Sequence, residues 1–159
     1  FLTNSLEEHH KDTGTLFANW LSDESTLANQ IKRDTPVMCV IGNPPYFNIE
    51  KLGFKSSIAK NIQNKYQEIW QDKSDILFYF IALAIKLTKN KVGFIVSNAF
   101  MFSDKAQKLR NFILENSNIS KITNFEKYMV FEDASVTTAI ISRFLKSGLS
   151  VPNSSIACL

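Results

Sequence analysis

Glycine is scarce and scattered in this chain of 159 residues: Gly14, Gly42, Gly53, Gly93 and Gly148 are its only five. No phosphate-cradling loop and no dinucleotide-binding fingerprint can be written from them. Cysteine and histidine are scarcer still. Cys39 and Cys158 lie far apart and the only two histidines, His9 and His10, adjoin, so no ligand set with zinc spacing exists and no metal is expected. Two unpaired thiols suit a reducing cytoplasm, and no signal-peptide pattern opens the chain. Long apolar runs are lacking too. The longest uninterrupted one, Ile76 to Ile85, is about half of what a membrane span needs, so no membrane partner is expected. Nor does one sign of charge dominate: 18 Lys and Arg against 15 Asp and Glu leave a net +3, which permits contact with a polyanion without requiring it.

What is present describes a globular domain. Hydrophobic residues make up 45% and charged residues 21%, with thirteen Phe to supply bulk, a composition that predicts one domain around one core. The chain opens on Phe1-Leu2 rather than on Met, which reads as a piece of something longer. Leu27, Ala28 and Ile31 at helical spacing, with Asp23 and Glu24 early and Lys32 and Arg33 late, predict a helix over Ser22 to Arg33. Beyond Pro36, Val37 to Ile41 reads as a strand buried on both faces, stopped by a Gly-Asn-Pro-Pro turn. A loop from Phe47 to Phe54 precedes an amphipathic helix from Ser56, marked by Ile58, Ile62, Tyr66, Ile69 and Trp70.

Ser74 is placed to cap the next helix, Asp75 to about Thr88, whose apolar surface implies packing on a sheet. A second strand is expected at Val92 to Val96, a helix capped by Ser103 from Asp104 to about Glu115, and a third strand at Ile119 to Phe125. After a loop from Glu126 to Ala134, Val136 to Leu145 reads as a fourth strand; the tail from Lys146 to Leu159 shows no element. The order predicts a doubly wound α/β fold with a mainly parallel sheet, helices on both faces in three α/β/α layers, and an antiparallel strand at one edge.

Such a fold binds ligands at the carboxyl ends of its parallel strands, and Asn43-Pro44-Pro45-Tyr46 follows the first of these directly. A chance match to all four residues has a probability on the order of one in a thousand for a chain of this size. Two prolines remove two backbone donors and stiffen the turn. That leaves the Asn43 side-chain oxygen and the Pro44 carbonyl as acceptors able to converge on one planar amine, with Tyr46 able to stack on the ring that bears it. The bland alternative is a rigid strand-to-helix turn with a packed Tyr; the position in the sheet favours chemistry.

Val40-Ile41-Gly42-Asn43-Pro44-Pro45-Tyr46 resembles motif IV of the amino-methyltransferases that use S-adenosylmethionine. The surroundings resemble the adenine-N(6) DNA methyltransferases of restriction-modification systems, particularly type IIG and related type I enzymes. Phe1 to Glu7 looks like the segment before motif IV, Asp75 to Leu87 like motif V, Val92 to Phe100 like motif VI, and Phe131 to Phe144 like motif VIII and the strand after it.

The resemblance implies a Rossmann-like methyltransferase fold in a prokaryotic cytoplasm. It implies that Asn43 and the Pro44 carbonyl hold the target amine, that Tyr46 stacks on a flipped adenine with Pro45 and Phe131 also against the base, and that Asn4 lies near the cofactor. The Gly-rich cofactor loop and a target-recognition domain are absent from residues 1–159. The chain is therefore expected to be the C-terminal part of a catalytic domain, inactive alone, with double-stranded DNA and the rest of its parent polypeptide as partners. Lys51, Lys55, Lys60, Lys65 and Lys73 read as solvated surface, His9 and His10 likewise, and Trp20 and Trp70 as packing anchors. Two rivals remain open: transfer to a glutamine amide or an RNA amine, and a non-enzymatic module that keeps the fold to bind nucleic acid or a partner.

Overall fold

The structure is a computed structural model and describes residue 30 and residues 37–53, 56–125, 138–144 and 156–158. Strand β1 (Val37–Gly42) forms from a β-branched apolar run and stops where the two prolines deny further ladder donors. A short 3₁₀ turn (Ile49–Leu52) follows, then helices α1 (Ser57–Lys65) and α2 (Ile76–Leu87), and strand β2 (Thr88–Ser97). After β2 come the single turn α3 (Ala99–Phe102), a 3₁₀ turn (Asp104–Ala106), α4 (Gln107–Asn116), β3 (Asn118–Asn124), β4 (Thr138–Phe144) and the three-residue β5 (Ile156–Cys158). The helix expected over 22–33 falls outside the described residues except for Gln30, which is helical. Among the described residues no helix is long and apolar enough to cross a membrane.

The five strands lie in the order β3-β4-β2-β1-β5. β1 runs parallel to β2 and to β5, and β4 runs antiparallel to both β2 and β3. The α/β sheet is therefore present but mixed, with two parallel and two antiparallel pairings where a mainly parallel sheet was expected, and two further corrections apply. The antiparallel strand is not at the edge. It is inserted between β2 and β3, because β4 brings the fully buried Ala139 to the core whereas β3, exposed at almost every position, tolerates the solvated edge. The tail also contributes an element: Ile156 to Cys158 pairs along the outer edge of β1, in a run too short to announce itself as a strand.

Side chains alternate across the sheet. Val40, Val92, Phe94, Val96 and Ala139 face one way and join a single buried cluster with α2 and α4. On the opposite face Ile41 is 44% and Ile140 37% exposed. Of the three layers expected, the described residues provide two, the sheet and the helices on its buried face. α2 is the centre of that layer, with every residue except Phe80 and Lys86 buried. It passes into β2 without a loop: Thr88 ends the helix and begins the strand, and its hydroxyl lies 2.8 Å from the Val37 carbonyl, filling the irregularity in register between Val37 and Cys39.

Capping differs from expectation at α2. Asp75, not Ser74, is the N-cap, with its Oδ1 accepting the Leu77 N–H at 3.0 Å. Ser74 Oγ turns inward to the Tyr79 hydroxyl at 2.5 Å, because both residues are buried and a buried hydroxyl needs a partner. α1 ends at Lys65, sooner than the apolar spacing suggests, and Tyr66 and Ile69 reach the core from the turn that follows. Ser103 caps a 3₁₀ turn leading into α4 rather than α4 itself.

Replacing Ser74 with Ala should cost about 1 kcal/mol in urea denaturation, since the Tyr79 hydroxyl loses one buried partner but keeps the Gln71 N–H. Combined with Tyr79→Phe, the loss should be smaller than the sum of the two single changes; strict additivity would show that the two hydroxyls do not interact.

Candidate active site

The turn Asn43 to Tyr46 leaves the carboxyl end of β1 beside the carboxyl end of β2. Asn43 and Pro45 are exposed, Pro44 is buried and Tyr46 is half-buried. The Tyr46 side chain folds back over the neighbouring strand, and its hydroxyl donates toward the Ile95 carbonyl at 3.0 Å and toward Asn43 Oδ1. One proton thus serves two acceptors. The pair spans the gap between the two strand ends, the location at which open α/β sheets bind ligands.

Downstream, the turn is laced to the start of α2. The Phe47 carbonyl accepts the Ile76 N–H at 2.9 Å and the Ser74 carbonyl accepts the Ile49 N–H at 2.9 Å, with Asn48 and Asp75 paired as an antiparallel bridge. Asn48 adds two side-chain bonds: its Nδ2 donates to the Lys73 carbonyl at 2.8 Å and its Oδ1 accepts the Glu50 N–H at 2.9 Å, capping the 3₁₀ turn. Burial raises the Asp75 carboxyl above the ordinary value, partly offset by the N–H groups of Leu77 and Phe47 that it accepts. Burial, and then the Asp75 carboxylate, raise the Tyr46 hydroxyl in turn. The site therefore keeps Tyr46 protonated, a donor throughout the neutral range.

The structure brings four of the six candidate residues together: Asn43, Pro44, Pro45 and Tyr46. Asn4 and Phe131 lie outside the described residues. Asp75, which opens both the predicted helix and the segment that resembles motif V but was given no role of its own, adjoins them; a carboxylate standing immediately before an uninterrupted apolar run was the available signal. A cavity of about 280 Å³ lies between the 3₁₀ turn, α1 and Trp70, lined by Ile49, Ala59, Lys60 and Gln63 among others. None of the four turn residues lines it, so the chemistry is read from the turn. Lys51, Lys60, Lys65 and Lys73 are exposed, and Lys73 sits 3.8 Å from Glu50. Gly42 ends β1, Gly53 closes the 3₁₀ turn at φ +84° and Gly93 lies within β2, so these glycines form no cradle for a cofactor. Chemically, the site offers an amide oxygen and an aromatic ring beside each other at the mouth of the sheet.

Tyr46, Tyr66 and Tyr79 all hold their hydroxyl protons above the ordinary value of 10.0, each chiefly through burial. Because the unfolded chain releases these protons first, stability should fall as pH rises through 10. In a spectrophotometric titration at that pH, the folded protein should show a smaller tyrosinate signal than the unfolded chain; equal signals would mean that these hydroxyls are open to solvent.

The sequence pattern of the family described as Eco57I restriction-modification methylase matches residues 3–131. Among curated proteins, the Type II restriction enzyme and methyltransferase RM.Eco57I of Escherichia coli is 29% identical over 142 residues, 82% of this chain and 14% of that protein. The Type II methyltransferase M.HincII of Haemophilus influenzae is 29% identical over 120 residues, 72% of this chain and 23% of that protein. The chain thus spans less than a quarter of either relative. Among solved structures, the ATP-dependent Type ISP restriction-modification enzyme LlaBIII bound to DNA superposes with a TM-score of 0.64 at 21% identity, covering 99% of this chain and 12% of that one. A protein from Listeria monocytogenes, described as a class I S-adenosylmethionine-dependent methyltransferase, gives 0.57 at 19% identity over 77% of this chain and 36% of its own. These two likenesses establish the fold.

Proposed function

Because the chain belongs to the Eco57I family of restriction-modification methylases, we propose that it is the acceptor half of an adenine-specific DNA methyltransferase, the C-terminal part of a catalytic domain. The observation that carries this reading is the contact between Asn43 and Tyr46 at the mouth between β1 and β2. An exocyclic amine entering that mouth donates to Asn43 Oδ1, and the Tyr46 hydroxyl gives up that acceptor and keeps the Ile95 carbonyl. The Pro44 carbonyl is the second acceptor for the amine. The Tyr46 ring stacks on the extruded base, offsetting part of the few kcal/mol that unstacking costs. Pro45, and Phe131 outside the described residues, are assigned to the remaining sides of the base.

A ring-conjugated amine is a poor nucleophile because its lone pair is delocalised. Two fixed acceptors draw its hydrogens to one side, leaving the lone pair free to attack, and they bind more tightly as positive charge grows on the nitrogen. The methyl donor assigned by this reading is S-adenosylmethionine. Asn4 is assigned near it.

Full-length protein incubated with labelled S-adenosylmethionine and double-stranded DNA should place label on adenine; label on RNA or on a glutamine-bearing peptide instead would overturn the substrate assignment. Asn43→Ala should lower kcat by about a hundredfold or more while DNA affinity changes little, and a loss confined to affinity would remove Asn43 from the proposed role. The 159-residue chain alone should transfer no methyl group, and detectable transfer would show that it is more than the acceptor half.

A further inference from the structure

Asn98 stands at the N-cap of α3 without capping it. An Asn there ordinarily accepts an N–H from the first turn of its own helix. Here Ser97 Oγ accepts the Ala99 N–H at 3.3 Å, and the Asn98 side chain, in a residue only 8% exposed, is turned to another strand. Its Nδ2 donates to Asn124 Oδ1 at 3.3 Å. Asn124 is the last residue of β3 and is exposed. We propose that Asn124 is a contact to the DNA backbone: Asn98 holds its side-chain oxygen, so that its own Nδ2 faces out from the carboxyl edge of the sheet as a fixed donor to a phosphate oxygen. The proposal rests on the reading of the turn at Asn43 as the site of an extruded adenine.

Register places the pair beside the site. β4 is antiparallel to both β2 and β3, so β2 and β3 end on the same edge of the sheet as β1, the edge that holds Asn43 and Tyr46. Val96 and Asn124 both stand opposite Ala139, so the strand that separates the two asparagines offers only a methyl between them. With strands about 4.8 Å apart, Asn124 lies about 10 Å along the edge from β2, which is about three nucleotides at 3.4 Å each. The chemistry selects a phosphate over a base. An Asn that reads adenine presents its oxygen and its amine together. Asn124 has its oxygen engaged by Asn98 and shows a donor, which a phosphate oxygen accepts whatever the sequence. Bracing that amide in advance also lowers the side-chain entropy lost when it binds, a gain that an idle surface side chain has no use for.

The experiment titrates the full-length protein into a fluorescein-labelled DNA duplex and reads Kd by anisotropy. Asn124→Asp keeps an oxygen for Asn98 and sets a negative charge where the donor was, so Kd should rise by about tenfold or more. Asn124→Ala should raise Kd by about threefold to tenfold with the slope of log Kd against log salt unchanged, because a neutral amide releases no counterion. Single methylphosphonates are then placed within about three nucleotides on either side of the methylated adenine. At one of them the wild type should lose about threefold or more in affinity and Asn124→Ala nothing further, with Asn98→Ala between the two. Unchanged Kd in both Asn124 variants would overturn the proposal. So would methylphosphonate effects that are equal in the wild type and Asn124→Ala at every position, which would leave the asparagine pair as a brace of the sheet edge alone. Should Asn124→Asp fail to fold, the wild type and Asn124→Ala decide the matter between them. If the wild type binds DNA but methylates no adenine, the reading of the turn fails on its own, and the Kd comparison on a mixed-sequence duplex still decides whether Asn124 touches the backbone.

Discussion

Parallel pairing of β1 with β2 fixes where the first strand stops relative to the second. Gly42 stands opposite Phe94, so the next residues, Asn43 and Ile95, come level at the mouth, and a tyrosine three positions further on can reach back to the Ile95 carbonyl. A slip of one residue would exchange the faces of β1, sending Val40 out of the core and Ile41 into it. The buried cluster around Val40, Val92 and Phe94 therefore sets the geometry of the turn as much as the turn's own residues do. Chemistry at the mouth depends on packing beneath it.

Much of this was legible beforehand. Val37 to Ile41 and Val92 to Val96 are continuous apolar runs of strand length, and their bounding turns leave little choice of assignment. The turn Asn43 to Tyr46 was legible as a turn because Pro44 and Pro45 restrict the backbone whatever the surroundings. The features that were not legible are those in which long-range pairing decides among locally equal options. Ser74 and Asp75 are both good caps, and only the buried Tyr79 hydroxyl assigns one of them to the interior. Nothing local places β4 between β2 and β3; that order follows from which strand has apolar residues to bury. Ile156 to Cys158 is three residues long and acquires meaning only beside the open edge of β1.

The site also shows why a reading from residue types is incomplete. Asn43 and Tyr46 were each assigned to a substrate, and in the structure they bond to one another. The polar groups at the mouth are satisfied within the chain, so under the proposed reading an amine displaces a hydroxyl already in place. Asp75 enters by the same logic of satisfaction. Its Oδ1 accepts the Leu77 N–H at the start of α2, a donor that the helix itself leaves without a partner.

Helix α2 has a fixed attachment at each end: Asp75 where the turn leaves off, and Thr88, which belongs to helix and strand at once. Its twelve residues make a strut of about 18 Å at 1.5 Å per residue. Such a strut has no slack. Gaining or losing one residue would rotate its far end by about 100°, turning buried side chains outward and dragging the β2 strand out of step with its neighbours.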